Sequence, residues 1–255
     1  MSVKTLLDLS GRVALVTGGS RGLGLQIAEA LGEMGAKVAI SARKKDELDQ
    51  AVSRLGGNAS AFVADIGKRE TIAPLADAVL KKFGKVDILV NNAGATWGAP
   101  AEQHPLEAWD KLVNVNLSGA FVLTQIIAVK SMIPAKWGRI INVASIAGLM
   151  GQDPRFAPTA AYTATKHGLV GLTRQLAAEW GVHGITVNAI CPGFFPSKMT
   201  RATLDTAGAL IKEWTPTRRF GGEEDLKGLA VLLASEASRH ITGQAIAVDG
   251  GSSII

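Results

Sequence analysis

Seven short runs of β-branched and other apolar residues recur along the chain, separated by stretches of helical length. This alternation is the tightest constraint on what the chain can fold into. The runs are Arg12–Thr17, Lys37–Ser41, Ser60–Ala64, Val86–Asn91, Arg139–Ala144, Ile185–Ile190 and Gln244–Val248. Between them, segments such as Leu25–Met34 and Asp46–Leu55 carry apolar residues at helical spacing. Strings such as VALV and DILV have no polar face, so strands made from them must be covered on both sides. The expectation is an α/β protein with a doubly wound parallel sheet, seven-stranded in the order 3-2-1-4-5-6-7. No linker, low-complexity segment or repeat breaks the alternation, and 255 residues suit one domain spanning 1–255.

Composition narrows the function classes. Hydrophobic residues make up 47% of the chain, and its 29 glycines fall between apolar runs, where they serve turns rather than disorder. Net charge is +5, yet the densest basic patches, Arg43-Lys44-Lys45 and Arg218-Arg219, are short and lack interleaved aromatics. That pattern argues against a nucleic-acid surface. No apolar run reaches roughly 18 residues, and MSVKTLLDLSGR has too short an apolar core for a signal peptide. Neither a membrane nor export is expected, and the protein is assigned to the cytoplasm. The single cysteine, Cys191, is expected to be inert packing in a reducing compartment. His104, His167, His183 and His240 lack metal-ligand spacing, so no catalytic metal is expected.

Directly after the first strand, Thr17-Gly18-Gly19-Ser20-Arg21-Gly22-Leu23-Gly24 leads into a helix. Gly18, Gly22 and Gly24 let the backbone turn sharply and approach a pyrophosphate, while the helix N-terminus offers free N–H groups and positive dipole. Ser20 and Leu23 lie in the same loop and are candidate contacts. Strand, loop and helix in this order favour a dinucleotide site over a merely structural turn.

The TG-x3-G-x-G spacing resembles the short-chain dehydrogenase/reductase family, and the resemblance covers nearly the whole chain. Asn91-Asn92-Ala93-Gly94 is similar to its NNAG motif. Asn116 in NVNLSG, Ser145, Tyr162 with Lys166, and Pro192-Gly193 follow in the family's order, and ITGQAIAVDGG is similar to its last strand. The resemblance implies a Rossmann fold and hydride transfer between a nicotinamide dinucleotide and a ketone or secondary alcohol. It implies cofactor contacts from Asn92, Ala93 and Gly94, from Asp65 and Ile66 at the adenine, and from Pro192, Gly193, Phe195 and Ser197 near the carboxamide. Ser197 stands where the family commonly has Thr.

Charge selects between the nicotinamide cofactors. An NAD site places a carboxylate about 20 residues past the loop to accept from the ribose 2′-OH, whereas a 2′-phosphate needs positive charge. The second strand ends Ser41-Ala42-Arg43, without an acid at its end. Arg43 and Arg21 are the candidates to grip the phosphate, so NADP(H) is expected in preference to NAD(H).

At the reacting centre, Tyr162 is the only tyrosine and Lys166 follows it by four residues, which puts both on one helix face. A phenol titrates near 10, so acid–base work at neutral pH needs its anion stabilised; a nearby ammonium does this. Ser145 ends the fifth strand, at the carboxyl edge where open α/β sheets bind ligands, and is expected to donate to the substrate oxygen. Asn116 matches the family position that anchors a water joining Lys166 to solvent. Sixteen residues separate Ser145 from Tyr162, more than the family's usual spacing, and the Gln152–Phe156 insert is expected beside the substrate. The segment 196–221 reads as a lid, with Met199, Leu210 and Trp214 apolar and Lys198, Arg201, Arg218 and Arg219 basic. Trp97 faces either the pocket or the core. NNAGATWGAP and PGFFPSKMT are similar to members of the gluconate 5-dehydrogenase and 3-oxoacyl carrier-protein reductase kinds, both with anionic substrates. The resemblance also implies a homotetramer, with apolar Leu117–Val129 as a candidate face. The competing reading is a catalytically silent Rossmann protein that senses NADP(H), against which the complete Asn-Ser-Tyr-Lys set argues.

Overall fold

The apolar runs become seven parallel strands: β1 (Val13–Thr17), β2 (Lys37–Ala42), β3 (Ala59–Val63), β4 (Ile88–Asn91), β5 (Gly138–Val143), β6 (Ile185–Pro192) and β7 (Ala245–Val248). They form one sheet in the order β3-β2-β1-β4-β5-β6-β7, as the alternation predicts. A computed structural model describes residues 1–255 apart from Pro154 and Ala157. The central strands β1, β4, β5 and β6 are buried along their whole length, whereas the edge strands β3 and β7 are partly open. This is why VALV and DILV carry no polar face.

After the short N-terminal α1 (Val3–Leu7), helices cover both faces of the sheet. On one side lie α2 (Gly22–Glu33) and α3 (Lys45–Leu55), whose Ile27, Leu31 and Leu48 join Val16, Ile40 and Val90 in one core cluster. On the other side α4 (Ile72–Phe83) contributes Leu75 and Val79 against Leu15, Leu89 and Ile140. Also on this second face are α5 (Leu106–Ala135), a 30-residue helical run, and α6 (Ala160–Trp180). By length and composition α5 is long and apolar enough to cross a membrane, contrary to the expectation from the apolar runs. Its Leu123, Ile127 and Met132 are packed into the second core cluster, as in the core helix of an α/β domain. Two π-helical turns interrupt it, at Asn114–Ser118 and Ala128–Met132. Between β6 and β7 lie α7 (Arg201–Trp214) and α8 (Lys227–Ala234).

Buried polar groups fix the middle of the sheet. Register sets Asn91 of β4 beside Asn142 of β5. Asn91 Nδ2 donates to Asn142 Oδ1 at 2.9 Å and to Thr124 Oγ1 of α5 at 2.8 Å, while Asn142 Nδ2 donates to Thr173 Oγ1 of α6 at 2.8 Å. Such a chain tolerates little displacement, because any broken link leaves a buried amide unsatisfied at about 1–3 kcal/mol. It therefore holds α5 and α6, which carry Asn116, Tyr162 and Lys166, against the strand ends.

Candidate active site

β1 passes into α2 through a loop in which three positions require glycine. Gly18 and Gly22 take positive φ, 65° and 54°. At Gly22 a Cβ would meet nothing within 4 Å, whereas at Gly18 it would lie 2.8 Å from Asn92 Nδ2 and at Gly24 it would overlap that atom. The helix begins at Gly22, inside the loop, rather than at Leu25, so Gly22, Leu23 and Gly24 form its first turn, which holds no acidic residue. Its open amides and positive dipole end thus face the space beside Gly22. Asn92 stitches this loop to the one after β4: its Nδ2 donates to the carbonyls of Thr17 (2.9 Å) and Gly18 (3.1 Å). In return Thr17 Oγ1 accepts from the amides of Asn92 and Ala93, both at 3.1 Å.

Around this cradle opens a cleft of about 1050 Å³, at the upper end for small-molecule sites. Gly18, Ser20, Arg21, Gly22, Leu23 and Arg43 line it, together with Asp65, Ile66, Asn92, Ala93 and Gly94. Tyr162, Lys166, Phe195 and Ser197 line it as well. Gly24, Asn116, Ser145, Pro192 and Gly193 are not on its wall. Gly24 lets α2 pack on Asn92, and at Gly193 a Cβ would come within 2.8 Å of Asp249, so that glycine serves the junction of β6 with the last strand. Asp65 also closes its own turn, accepting from Gly67 N at 3.0 Å. Lys44, Glu47, Thr96, Lys111 and Val115 line the cleft too, and the sequence reading singled out none of them as site residues. Glu47 lies in the first turn of α3, past the end of β2.

Tyr162 and Lys166 sit together on α6, the Lys166 ammonium 5.6 Å from the phenol ring centroid. The phenol is half-buried, and burial raises its pKa, with the neighbouring Ser145 hydroxyl pulling the other way. Lys166 is buried, donates to Val143 O at 2.8 Å, and burial lowers it to about 8. Ser145 Oγ accepts from Ala147 N at 3.1 Å, capping the short turn that follows β5. Asn116 is buried in the first π-helical turn of α5. Its amide accepts from Ala95 N (2.8 Å) and donates to Ala95 O and Thr165 Oγ1 (both 3.0 Å). Asn116 and Lys166 flank Gly94: a Cβ there would stand 3.3 Å from Asn116 Oδ1 and 3.8 Å from Lys166 Nζ. Cys191 is buried beneath them, its thiol pushed up to about 11 by that burial. Among the described residues no three of His, Cys, Asp and Glu gather as a metal site.

Beyond β6 the Phe195 ring packs on Gly221, where a Cβ would overlap it, and Gly221 N donates to Phe194 O at 2.9 Å. The chain between them, including α7, therefore leaves and re-enters at one point. Ser197 Oγ accepts from Thr200 N at 3.2 Å, and Thr200 Oγ1 donates to Phe195 O at 2.6 Å, fixing the turn into α7. Lys198 and Met199 line the cleft from this segment. From the insert, Phe156 places its ring edge-on to Phe194 and Trp214, each 5.9 Å between centroids, and Arg155 lies 5.0 Å over Trp214. Pro154 of that insert is outside the described residues. Trp97 is 47% exposed and does not line the cleft, where its neighbour Thr96 stands.

The glycine cradle, the open helix start and the cations beside it fit a dinucleotide. Residues 12–208 match the family model of the short chain dehydrogenases. A gluconate 5-dehydrogenase of Gluconobacter oxydans is 38% identical, over 100% of this chain and 99% of that protein. The 3-oxoacyl-[acyl-carrier-protein] reductase of Escherichia coli is 36% identical, over 96% of this chain and 98% of its own length. The crystal structure of a gluconate 5-dehydrogenase from Burkholderia cenocepacia, in complex with NADP and tartrate, superposes with a TM-score of 0.93 at 34% identity, covering 100% of both chains. With its sheet order and its relatives named dehydrogenases and reductases, this chain belongs to the short-chain dehydrogenase/reductase family and is an oxidoreductase acting on CH–OH donors.

Proposed function

We propose that the protein interconverts a ketone and a secondary alcohol with NADP(H), using Tyr162 as general acid and base. One observation carries this reading: a half-buried phenol beside a buried ammonium on the wall of the cleft that begins at the glycine cradle. A nicotinamide held there would supply or accept the hydride. Gly18, Ser20, Gly22 and Leu23 would hold its pyrophosphate, Asp65 and Ile66 its adenine, and Arg21 and Arg43 its 2′-phosphate. In reduction Tyr162 gives its proton to the carbonyl oxygen, and burial suits it by keeping the phenol protonated. In oxidation Tyr162 must take that proton, and Lys166, cationic below about 8, favours the phenolate. Ser145, just behind the wall and beside the Tyr162 hydroxyl, is read as donating to the substrate oxygen. Asn116, bonded to Thr165 next to Lys166, is read as ordering the route by which Lys166 exchanges protons with solvent.

The segment 196–221 is read as the substrate lid. The relatives named for gluconate, and the Burkholderia structure with tartrate, favour a small polyhydroxy or keto acid over a 3-oxoacyl thioester. Lys198 on the cleft wall is the cation suited to its carboxylate. The protein is read as a cytoplasmic homotetramer, supported by the exposed Phe121 and Val129 on α5.

Consumption of NADPH and NADH across a panel of ketones, with 5-keto-gluconate and acetoacetyl thioesters included, tests the reading. We expect NADPH to be favoured at least about tenfold in kcat/KM, some 1.4 kcal/mol. Equal use of the two would remove the phosphate assignment. Saturable NADPH binding without turnover of any ketone would favour a sensor.

A further inference from the structure

Glu47 stands inside the cation cluster at the adenosine end of the cleft. It lies in the first turn of α3, and its Oε1 accepts from Arg21 Nη1 at 2.7 Å and sits 3.4 Å from Lys44 Nζ. Its side chain is 24% exposed, whereas those of Arg21 and Lys44 are 50% and 59% exposed, so the carboxylate is the more enclosed member. Arg43 lines the same wall. Three cations and one carboxylate thus share the place where the 2′ substituent of an adenosine would arrive.

The two substituents meet this cluster differently. A 2′-phosphate brings about −1.5 to −2 charges and acceptor oxygens only, so it must draw Arg21 and Lys44 off Glu47 while facing a like charge. A 2′-hydroxyl brings no charge, leaves the ion pairs standing and can donate to a carboxylate. We propose that Glu47 sets the cofactor ratio: it occupies Arg21 and Lys44 in the free enzyme and opposes the phosphate. Selectivity for NADP(H) is thereby held below what the three cations alone would give. The proposal rests on the assignment of the 2′-phosphate to Arg21 and Arg43. Because the cluster is solvated and screened by salt, the effect is a few-fold rather than many orders of magnitude.

Calorimetric titration of wild type and Glu47→Gln with adenosine 2′,5′-bisphosphate and with 5′-AMP isolates the 2′-phosphate. Glutamine keeps the size and hydrogen-bonding reach of the side chain and removes its charge. Glu47→Gln is expected to bind the bisphosphate about three- to tenfold more tightly than wild type, and 5′-AMP no more tightly. The gain should shrink in about 0.5 M KCl, where exposed charges are screened within a few ångströms. Glu47→Asp should return toward wild type. Unchanged or weaker bisphosphate binding by Glu47→Gln would overturn the proposal, weaker binding meaning that Glu47 pre-positions Arg21 for the phosphate instead. If the wild type itself does not prefer the bisphosphate over 5′-AMP, both this proposal and the NADP(H) reading fall. A preference that Glu47→Gln leaves unaltered removes this proposal alone.

Discussion

Lys166 is a buried cation, and its burden on the fold is calculable. Burial moves it from 10.5 to about 8. At about 1.36 kcal/mol per unit, the charged form withholds roughly 3 kcal/mol of stability near neutral pH. Replacing it by Met fills the space with a flexible apolar chain but leaves the Val143 carbonyl, now 2.8 Å from Nζ, without its donor, at about 1 kcal/mol. Lys166→Met is therefore expected to be about 2 kcal/mol more stable than wild type near pH 7, and at least about a hundredfold less active. The sign with pH follows from the shift. The folded pKa lies below the unfolded one, so between about 8 and 10.5 the unfolded chain binds more protons. The Lys166 contribution to stability rises with pH through this window, by up to about 1.4 kcal/mol per unit, and is absent from Lys166→Met. The raised Cys191 thiol and Tyr162 phenol act the opposite way in both proteins and cancel from their difference. The advantage of Lys166→Met should vanish by the top of the window. Urea denaturation followed by the fluorescence of the five tryptophans, at matched protein concentration, measures this. A stability difference constant from neutral to alkaline pH would refute the reasoning.

Tyr162→Phe should keep folding and NADPH binding while kcat falls about 10²–10⁴-fold; steady-state kinetics with a fluorescence titration of NADPH checks both. Because Tyr162 is the only tyrosine, ultraviolet difference titration reports its phenol alone, raised by burial in the free protein and lowered when oxidised cofactor adds positive charge. Phe156→Ala removes two edge-to-face contacts worth about 0.5–1.5 kcal/mol each and should raise KM for the carbonyl substrate at least about fivefold, leaving the NADPH dissociation constant unchanged. Light scattering at micromolar concentration should report a tetramer, and a stable monomer would contradict the assembly.

The sheet was legible because burial on both faces leaves an unbroken apolar signature, and strand ends differ from expectation by at most two residues. β4 begins at Ile88 instead of Val86, and β6 runs on to Pro192. The glycine cradle was legible because positive φ and close approach admit few residues. What escaped was pairing across the sheet. Thr17 and Asn91 look like polar interruptions of apolar strings, and only strand order and register show that they secure Asn92 and Asn142. Glu47 escaped for the opposite reason: an acid in a first helical turn is ordinary, and only folding brings it to Arg21. The acceptor of Lys166, a backbone carbonyl on β5, has no sequence signature at all.

The π-helical turn at Asn114–Ser118, the first of two in α5, offsets the phase of the helix before it from that of the helix after it. One residue corresponds to about 100° of rotation, and a π turn inserts such an offset without breaking the rod. Upstream of it Leu106 and Trp109 face outward; within it Asn116 points to Ala95; downstream Leu123 and Ile127 meet the sheet. Deleting a single residue there would restore regular winding and rotate one half against the other, pulling the amide of Asn116 from both its partners or Leu123 from the core. Substitution and deletion thus differ in kind along this helix: a change at an outward position such as Leu106 stays local, while a change of length by one displaces everything beyond it.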